Sequence, residues 1–160
     1  MYRLIVAARI RKTFARINAG DWETMVGSLA PNFTYRFYGD NALGGVRKTP
    51  EAMRLWWWRV FQLLPGARFE VREVLVAGWP WHTRVATDLV VRATLPDGTR
   101  YENVVNQFVR LRWGRVVEVR TLEDTQKLDR TLRALAAAGF REAQAPQITD
   151  EARQAEGVAS

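Results

Sequence analysis

The sequence predicts an α+β fold: a curved antiparallel sheet, covered on one side by N-terminal helices, that makes a cone. Three observations carry this. The first part of the chain places apolar residues at helical spacing. From Ala67 to about Leu122 the period drops to two, in four long runs rich in Val and aromatics. Turn residues separate these runs at hairpin distances. Helices that precede a long meander can cover only one of its faces. A curved sheet closed on one side leaves an open end suited to a small apolar ligand.

Val6, Ile10, Phe14 and Ile17 form one apolar stripe with Thr13 on its margin, and Arg9, Arg11, Lys12 and Arg16 fall outside it, which predicts a helix over residues 3–18. Gly20 suits its C-terminus, and Asp21 can cap a short second helix running to about Leu29. Pro31 and Asn32 break that helix, and "FTYRFYG" then alternates as a strand. A polar, Gly-rich loop follows. Thr49, Pro50 and Glu51 give the next helix its cap, first turn and acidic N-terminus. Met53, Trp56, Trp57, Val60, Phe61 and Leu64 share one face of it, which leaves Leu55 and Trp58 on another. Pro65-Gly66 ends it.

The strand runs "ARFEVREVLVAG", "TRVATDLVVRATL", "RYENVVNQFVRLRW" and "RVVEVRTL" follow. Pro96-Asp97-Gly98 and Trp113-Gly114 are turns, so the last three strands form an antiparallel meander, and "GWPW" breaks the pairing of the first two long strands. Leu128, Leu132 and Leu135 mark a C-terminal helix that ends near Gly139. Residues 1–140 read as one domain and residues 141–160 as a polar tail or arm.

Composition narrows the function. The chain has 160 residues, no cysteine and one histidine, so disulfides, thiol catalysis and an imidazole-rich metal centre are not expected. Its 24 basic and 17 acidic residues give a net charge of +7, but the arginines are dispersed and form no dense run, which argues against a nucleic-acid partner. Arg9, Arg11 and Lys12 interrupt the apolar start, and no stretch approaches the roughly 18 apolar residues of a membrane span. A cytoplasmic protein without a membrane partner is expected.

Several motifs carry a family resemblance. Ile17-Asn18-Ala19-Gly20-Asp21 is similar to the helix end of steroid isomerases. Phe37-Tyr38-Gly39-Asp40, Gly44-Gly45 and Thr49-Pro50-Glu51-Ala52 are similar to a SnoaL-like pattern. Trp113 to Glu118, on through Asp124, resembles the final hairpin of that group and its terminal acidic residue. Over about residues 2–128 the chain thus resembles the nuclear transport factor 2-like superfamily, in its SnoaL-like and ketosteroid-isomerase-like branch. The resemblance implies the cone fold and a homodimer. It also implies a small apolar ligand and either cofactor-independent proton transfer on a carbonyl compound, as in an isomerase, cyclase or dehydratase, or a non-catalytic binding or dimeric interaction module. Steroid isomerases use a carboxylate base with a Tyr and a protonated Asp as oxyanion donors. Here Thr13 stands in the tyrosine's place, Asn106 in the donor aspartate's, and the base position falls near Arg36 or Phe37. Asp40 is the nearest carboxylate. Thr121 stands where the epoxide hydrolases of the group carry an acid.

The residues give three candidates for the chemistry. Asp40 is either a base at the cone mouth or a loop cap beside glycine. Asp88 interrupts an apolar strand and points either into the cavity or outward towards Arg92 or Arg110. Asn106 shares a strand face with Phe108, opposite Gln107, and donates to an oxyanion if that face is the inner one; a one-residue slip turns it to solvent. Thr13, Tyr35, Tyr38, Trp57, Phe108 and Thr121 are candidate lining residues. His82, between two tryptophans and an arginine in "GWPWHTR", is either a titratable site group or part of a turn. The test of these assignments is whether Asp40 or Asp88 shares a cavity with Asn106.

Overall fold

The computed structural model describes residues 1–151. In chain order the elements are α1 (Tyr2–Asn18), α2 (Glu23–Val26), β1 (Leu29–Phe37), β2 (Gly45–Arg47), α3 (Pro50–Leu63), β3 (Arg68–Trp79), β4 (His82–Thr94), β5 (Arg100–Arg112), β6 (Arg115–Glu123) and α4 (Thr125–Ala137), followed by a 3-10 turn at Arg141–Gln144. The six strands lie in the order β2-β1-β6-β5-β4-β3. The α+β cone is as expected, with one difference: β1 pairs with β6 in parallel, so the sheet is mixed.

Two further differences have local causes. β1 starts at Leu29 and runs through Pro31, because the β1–β6 register shifts between Leu29 and Thr34, where a residue without an N–H removes no ladder bond. The "GWPW" junction is a tight hairpin: pairing continues to Trp79 opposite His82, with Pro80 and Trp81 as the turn. At Gly78, φ is +92° and a Cβ would stand 2.1 Å from the His82 carbonyl oxygen, so a side chain there would push the two strands apart.

Paired residues on neighbouring strands point to the same face, so rungs can be read across the sheet. One inner rung is Val76, Val85, Val109, Val119 and Tyr35; the next is Val74, Thr87, Gln107, Thr121 and Phe37; a third is Val71, Leu89, Val105 and Glu123. The intervening outer rungs carry Glu73, Asp88, Asn106 and Leu122, then Leu75, Ala86, Phe108 and Arg120.

α1 covers the inner face with Val6, Phe14 and Ile17 buried. α3 is capped as its sequence indicates: the Thr49 hydroxyl accepts from the Ala52 N–H at 3.3 Å. Its Trp56 and Trp57 are buried, while Leu55 and Trp58 are exposed. A buried indole removes roughly 200 Å² from water, about 5 kcal/mol of transfer free energy, so α3 is a principal contributor to the core.

Residues 141–150 fold back over the domain. Arg59 pairs with Glu142 at 2.7 Å and donates to the Pro146 carbonyl at 2.7 Å. Arg47, fully buried, donates to the carbonyls of Gly44, Gly45 and Ile148, and its guanidinium lies over the rings of Tyr35 and Trp56. Burial pulls Arg47 down to about 10, so it remains a cation at neutral pH. The Asp150 carboxylate accepts from the backbone N–H groups of Lys48 and Thr49 and from the Thr49 hydroxyl. The rest of the predicted tail, residues 152–160, lies outside the described residues.

Candidate functional site

Between α1 and the inner sheet face lies a chamber of about 150 Å³. Tyr2, Ile5, Arg9 and Gly114 border it at one end of the cone, Phe14, Met25, Val109 and Val119 wall it, and Tyr35, Trp57 and Gln107 reach its deep side. A second compartment of about 20 Å³ shares Phe14, Tyr35, Trp57 and Gln107 with the chamber and adds Phe37, Trp56, Thr121 and Glu123. A dry cavity of about 150 Å³ is large enough for a benzene-sized molecule, and about 20 Å³ is room for a single water.

The polar groups of this interior sit on adjacent rungs. Gln107 Nε2 donates to Thr121 Oγ1 at 3.0 Å, and Thr121 Oγ1 donates to the Tyr35 hydroxyl at 3.3 Å. With Tyr35 accepting in this chain, its own proton is directed to no protein acceptor among the described residues. Trp57 Nε1 and Thr87 Oγ1 are likewise buried without a partner there. Burial pushes the Tyr35 phenol up to about 12, so it keeps its proton at neutral pH. The Tyr35 hydroxyl and the Trp57 indole N–H, both bordering the deep side of the chamber, are donors that a ligand oxygen would satisfy.

Among the described residues, Glu123 is the one carboxylate bordering either compartment. It accepts from the Tyr101 hydroxyl at 3.2 Å and from Asn103 Nδ2 at 3.0 Å. Burial raises its pKa to about 7, and the two hydrogen bonds only partly offset that. Tyr101 is raised in turn, by its own burial and by the neighbouring Glu123 charge.

Of the residues singled out in the sequence, Thr13, Tyr35, Trp57 and Thr121 border the interior. Thr13 Oγ1 is already engaged with the Arg9 carbonyl at 3.0 Å, within its own helix. The remaining six lie elsewhere. Asp40 is exposed and borders a separate groove against α4 and Gln147. Tyr38 is exposed, with the Arg36 guanidinium over its ring. His82 is exposed in the β3–β4 hairpin, its Nε2 accepting from Arg84 Nε at 3.2 Å. Asp88, Asn106 and Phe108 are on the outer face, where Asp88 and Asn106 are direct cross-strand neighbours.

Arg92 and Arg110 take other partners, Glu70 with Glu102 and Glu118 respectively, so neither pairs with Asp88. Neither Asp40 nor Asp88 shares a cavity with Asn106. The inner amide is Gln107, one residue on. The charges of Glu102, Arg110 and Arg112 at even positions hold that register, and the apolar Val105, Val109 and Leu111 at odd positions face in. The same alternation, continued from Thr121, marks Glu123 as an inner carboxylate. Among the described residues no group of three His, Asp or Glu side chains is placed to hold a metal ion.

The site lies in a cone-shaped α+β shell around a small apolar chamber with a polar deep side. Residues 10–119 match the model of the SnoaL-like domain, and the chain belongs to that family, in the nuclear transport factor 2-like superfamily. Solved structures agree on the fold. PrhC from Penicillium brasilianum is 14% identical with a TM-score of 0.76, covering 89% of this chain and 95% of that one. Bal32a, from a soil-derived mobile gene cassette, is 22% identical with a TM-score of 0.68, covering 78% and 94%. IdmH from Streptomyces antibioticus, assigned as a polyketide cyclase, is 24% identical with a TM-score of 0.65, covering 79% and 97%. No curated protein matches the chain in sequence. No helix among the described residues is long and apolar enough to cross a membrane.

Proposed function

We propose that the chain binds a small, largely apolar carbonyl compound in the chamber, with the carbonyl oxygen at the deep side. The observation that carries this is a pair of buried donors there without a protein acceptor among the described residues, the Tyr35 hydroxyl and Trp57 Nε1, at the end of a largely apolar space. The assignment of its structural neighbour IdmH as a polyketide cyclase is in keeping with such a ligand. The chamber volume favours a single ring over a fused polycycle.

Glu123 supports a second, catalytic reading of the same site. A carboxyl with a pKa of about 7 is divided between acid and base at neutral pH, as proton transfer next to a carbonyl requires. Gln107, Thr121 and Tyr35 link its compartment to the chamber.

One experiment addresses both readings. Titration with cyclohexanone, followed by calorimetry, should show saturable binding. Tyr35→Phe should weaken it about tenfold while leaving binding of the matching hydrocarbon unchanged. Equal affinity of the two proteins for the ketone would end the binding proposal. NMR of the same ketone in D₂O should show protein-dependent loss of its α-protons, rising with pH through about 7 and absent in Glu123→Gln. Binding without exchange would leave a carrier and remove the catalytic reading.

A further inference from the structure

Three indoles meet at the end of the cone where the chamber is bordered by Ile5 and Gly114. Trp79 and Trp81 are stacked, with ring centroids 5.9 Å apart, and Trp81 lies 6.0 Å from Trp113 on the next hairpin. The Trp113 N–H donates to the Pro80 carbonyl at 2.7 Å, which joins the two hairpin tips. All three rings are exposed, at 64%, 53% and 69%, and the first turn of α1 adds Leu4 and Ile5 at 74% and 60%. The Tyr2 hydroxyl and Thr83 Oγ1 are hydrogen-bonded at 2.5 Å, which holds that turn against the hairpin.

This is an apolar patch that core packing does not account for. Trp113 also has a φ of 50°, in a two-residue turn with Gly114 at 75°. Asn or Gly adopts that first position readily, whereas an indole there is uncommon and strained.

The charge at the patch itself is cationic, and the carboxylate in the groove that adjoins it, Glu118, is paired with Arg110. Residues 1–13, 77–87 and 109–117 contain no Asp or Glu. Arg3, Arg84, Arg112 and Arg115 are exposed there, and none forms an ion pair among the described residues. A second copy seated on this patch would bring these cations against their equivalents, which disfavours self-association here. A nucleic acid would use flat rings for stacking, but Trp79 and Trp81 already cover one another and Leu4 and Ile5 offer no ring face. Indoles beside aliphatic side chains, rimmed by unpaired arginines, match the chemistry of a lipid interface with anionic headgroups.

We propose that this end of the molecule docks on the surface of an anionic phospholipid bilayer, with the indoles, Leu4 and Ile5 in the interfacial layer and the arginines against the headgroups. The expectation of no membrane partner rested on the lack of a spanning segment, which does not bear on surface docking. Docking also sets the chamber border against the lipid, from which an apolar ligand would enter. The proposal does not depend on what the chamber binds.

The test uses the full chain with vesicles of phosphatidylcholine alone and of phosphatidylcholine with phosphatidylglycerol at about three to one. Co-sedimentation should be about tenfold stronger on the anionic vesicles and fall away at about 0.5 M salt. Brominated acyl chains should quench part of the wild-type tryptophan fluorescence, a readout that needs no variant. Trp81→Gln combined with Trp113→Asn should lower vesicle binding about tenfold, with the far-UV melting curve retained. Equal pelleting with both vesicles, or no bromine quenching, overturns the proposal. So does binding to a single-stranded oligonucleotide in place of vesicles, or a double variant that changes only the oligomeric state.

Discussion

Glu123 is a carboxylate whose ionisation its surroundings hold back. Its carboxyl is surrounded by Tyr101, Asn103 and the aromatic compartment, and its pKa is raised from 4.5 to about 7. A raised acid stabilises the fold below its unfolded pKa, where both states are protonated, and that stabilisation is lost as pH rises through the folded value. The loss falls between about pH 4.5 and 7 and amounts to at most about 3 kcal/mol. Urea unfolding at pH 5 and pH 8 should therefore show wild type losing stability across the interval, with Glu123→Gln losing less by about 2 kcal/mol. Parallel losses in both proteins would show that the carboxyl is solvated. Tyr35 and Thr121 were recognisable in the sequence as candidates, yet Glu123 and Gln107 were not. Their place in the interior depends on strand register, which is set by all the alternating residues of a strand and not by a local motif.

At the scale of elements, patterns that repeat along the chain were legible and long-range pairings were not. The stripes of α1 and α3 and the hairpin meander follow from periods of 3.6 and 2, each reinforced over many residues. The parallel β1–β6 pair and the three-residue β2 have no local signature, because their partners are far apart in sequence or very short. The C-terminal segment shows the same limit. Its polar composition indicated a tail, but its carboxylates are used on the domain: Glu142 on Arg59 and Asp150 on the start of α3. Asp150→Ala removes an acceptor shared by two backbone N–H groups and the hydroxyl that caps α3. It should cost about 1 kcal/mol and lower the thermal midpoint by about 2–4 °C. An unchanged midpoint would show that the Asp150 contacts add nothing to stability.

For the molecule as a whole, two exposed apolar faces differ in character. The hairpin end is aromatic and cationic. The outer sheet face instead carries Leu75, Val104, Phe108 and Leu122, all exposed, beside the mixed charges of Glu73, Asp88, Arg110 and Glu118. We propose that two copies pair through that face, where an apolar stripe with charges of both signs lets like surfaces complement each other. Light scattering should give a dimer mass at micromolar concentration, and Phe108→Glu should give a monomer; a monomeric wild type would rule the pairing out.

The parallel pairing sets an order on how the shell is made. β1 is hydrogen-bonded only to β6 and to the three residues of β2. During synthesis an N-terminal strand emerges early, while its main partner, residues 115–123, emerges some eighty residues later. Until then the β1 edge that pairs with β6 is open. The four-strand meander can form from neighbours as it leaves the ribosome. The chamber therefore cannot close until residues 115–123 are in place.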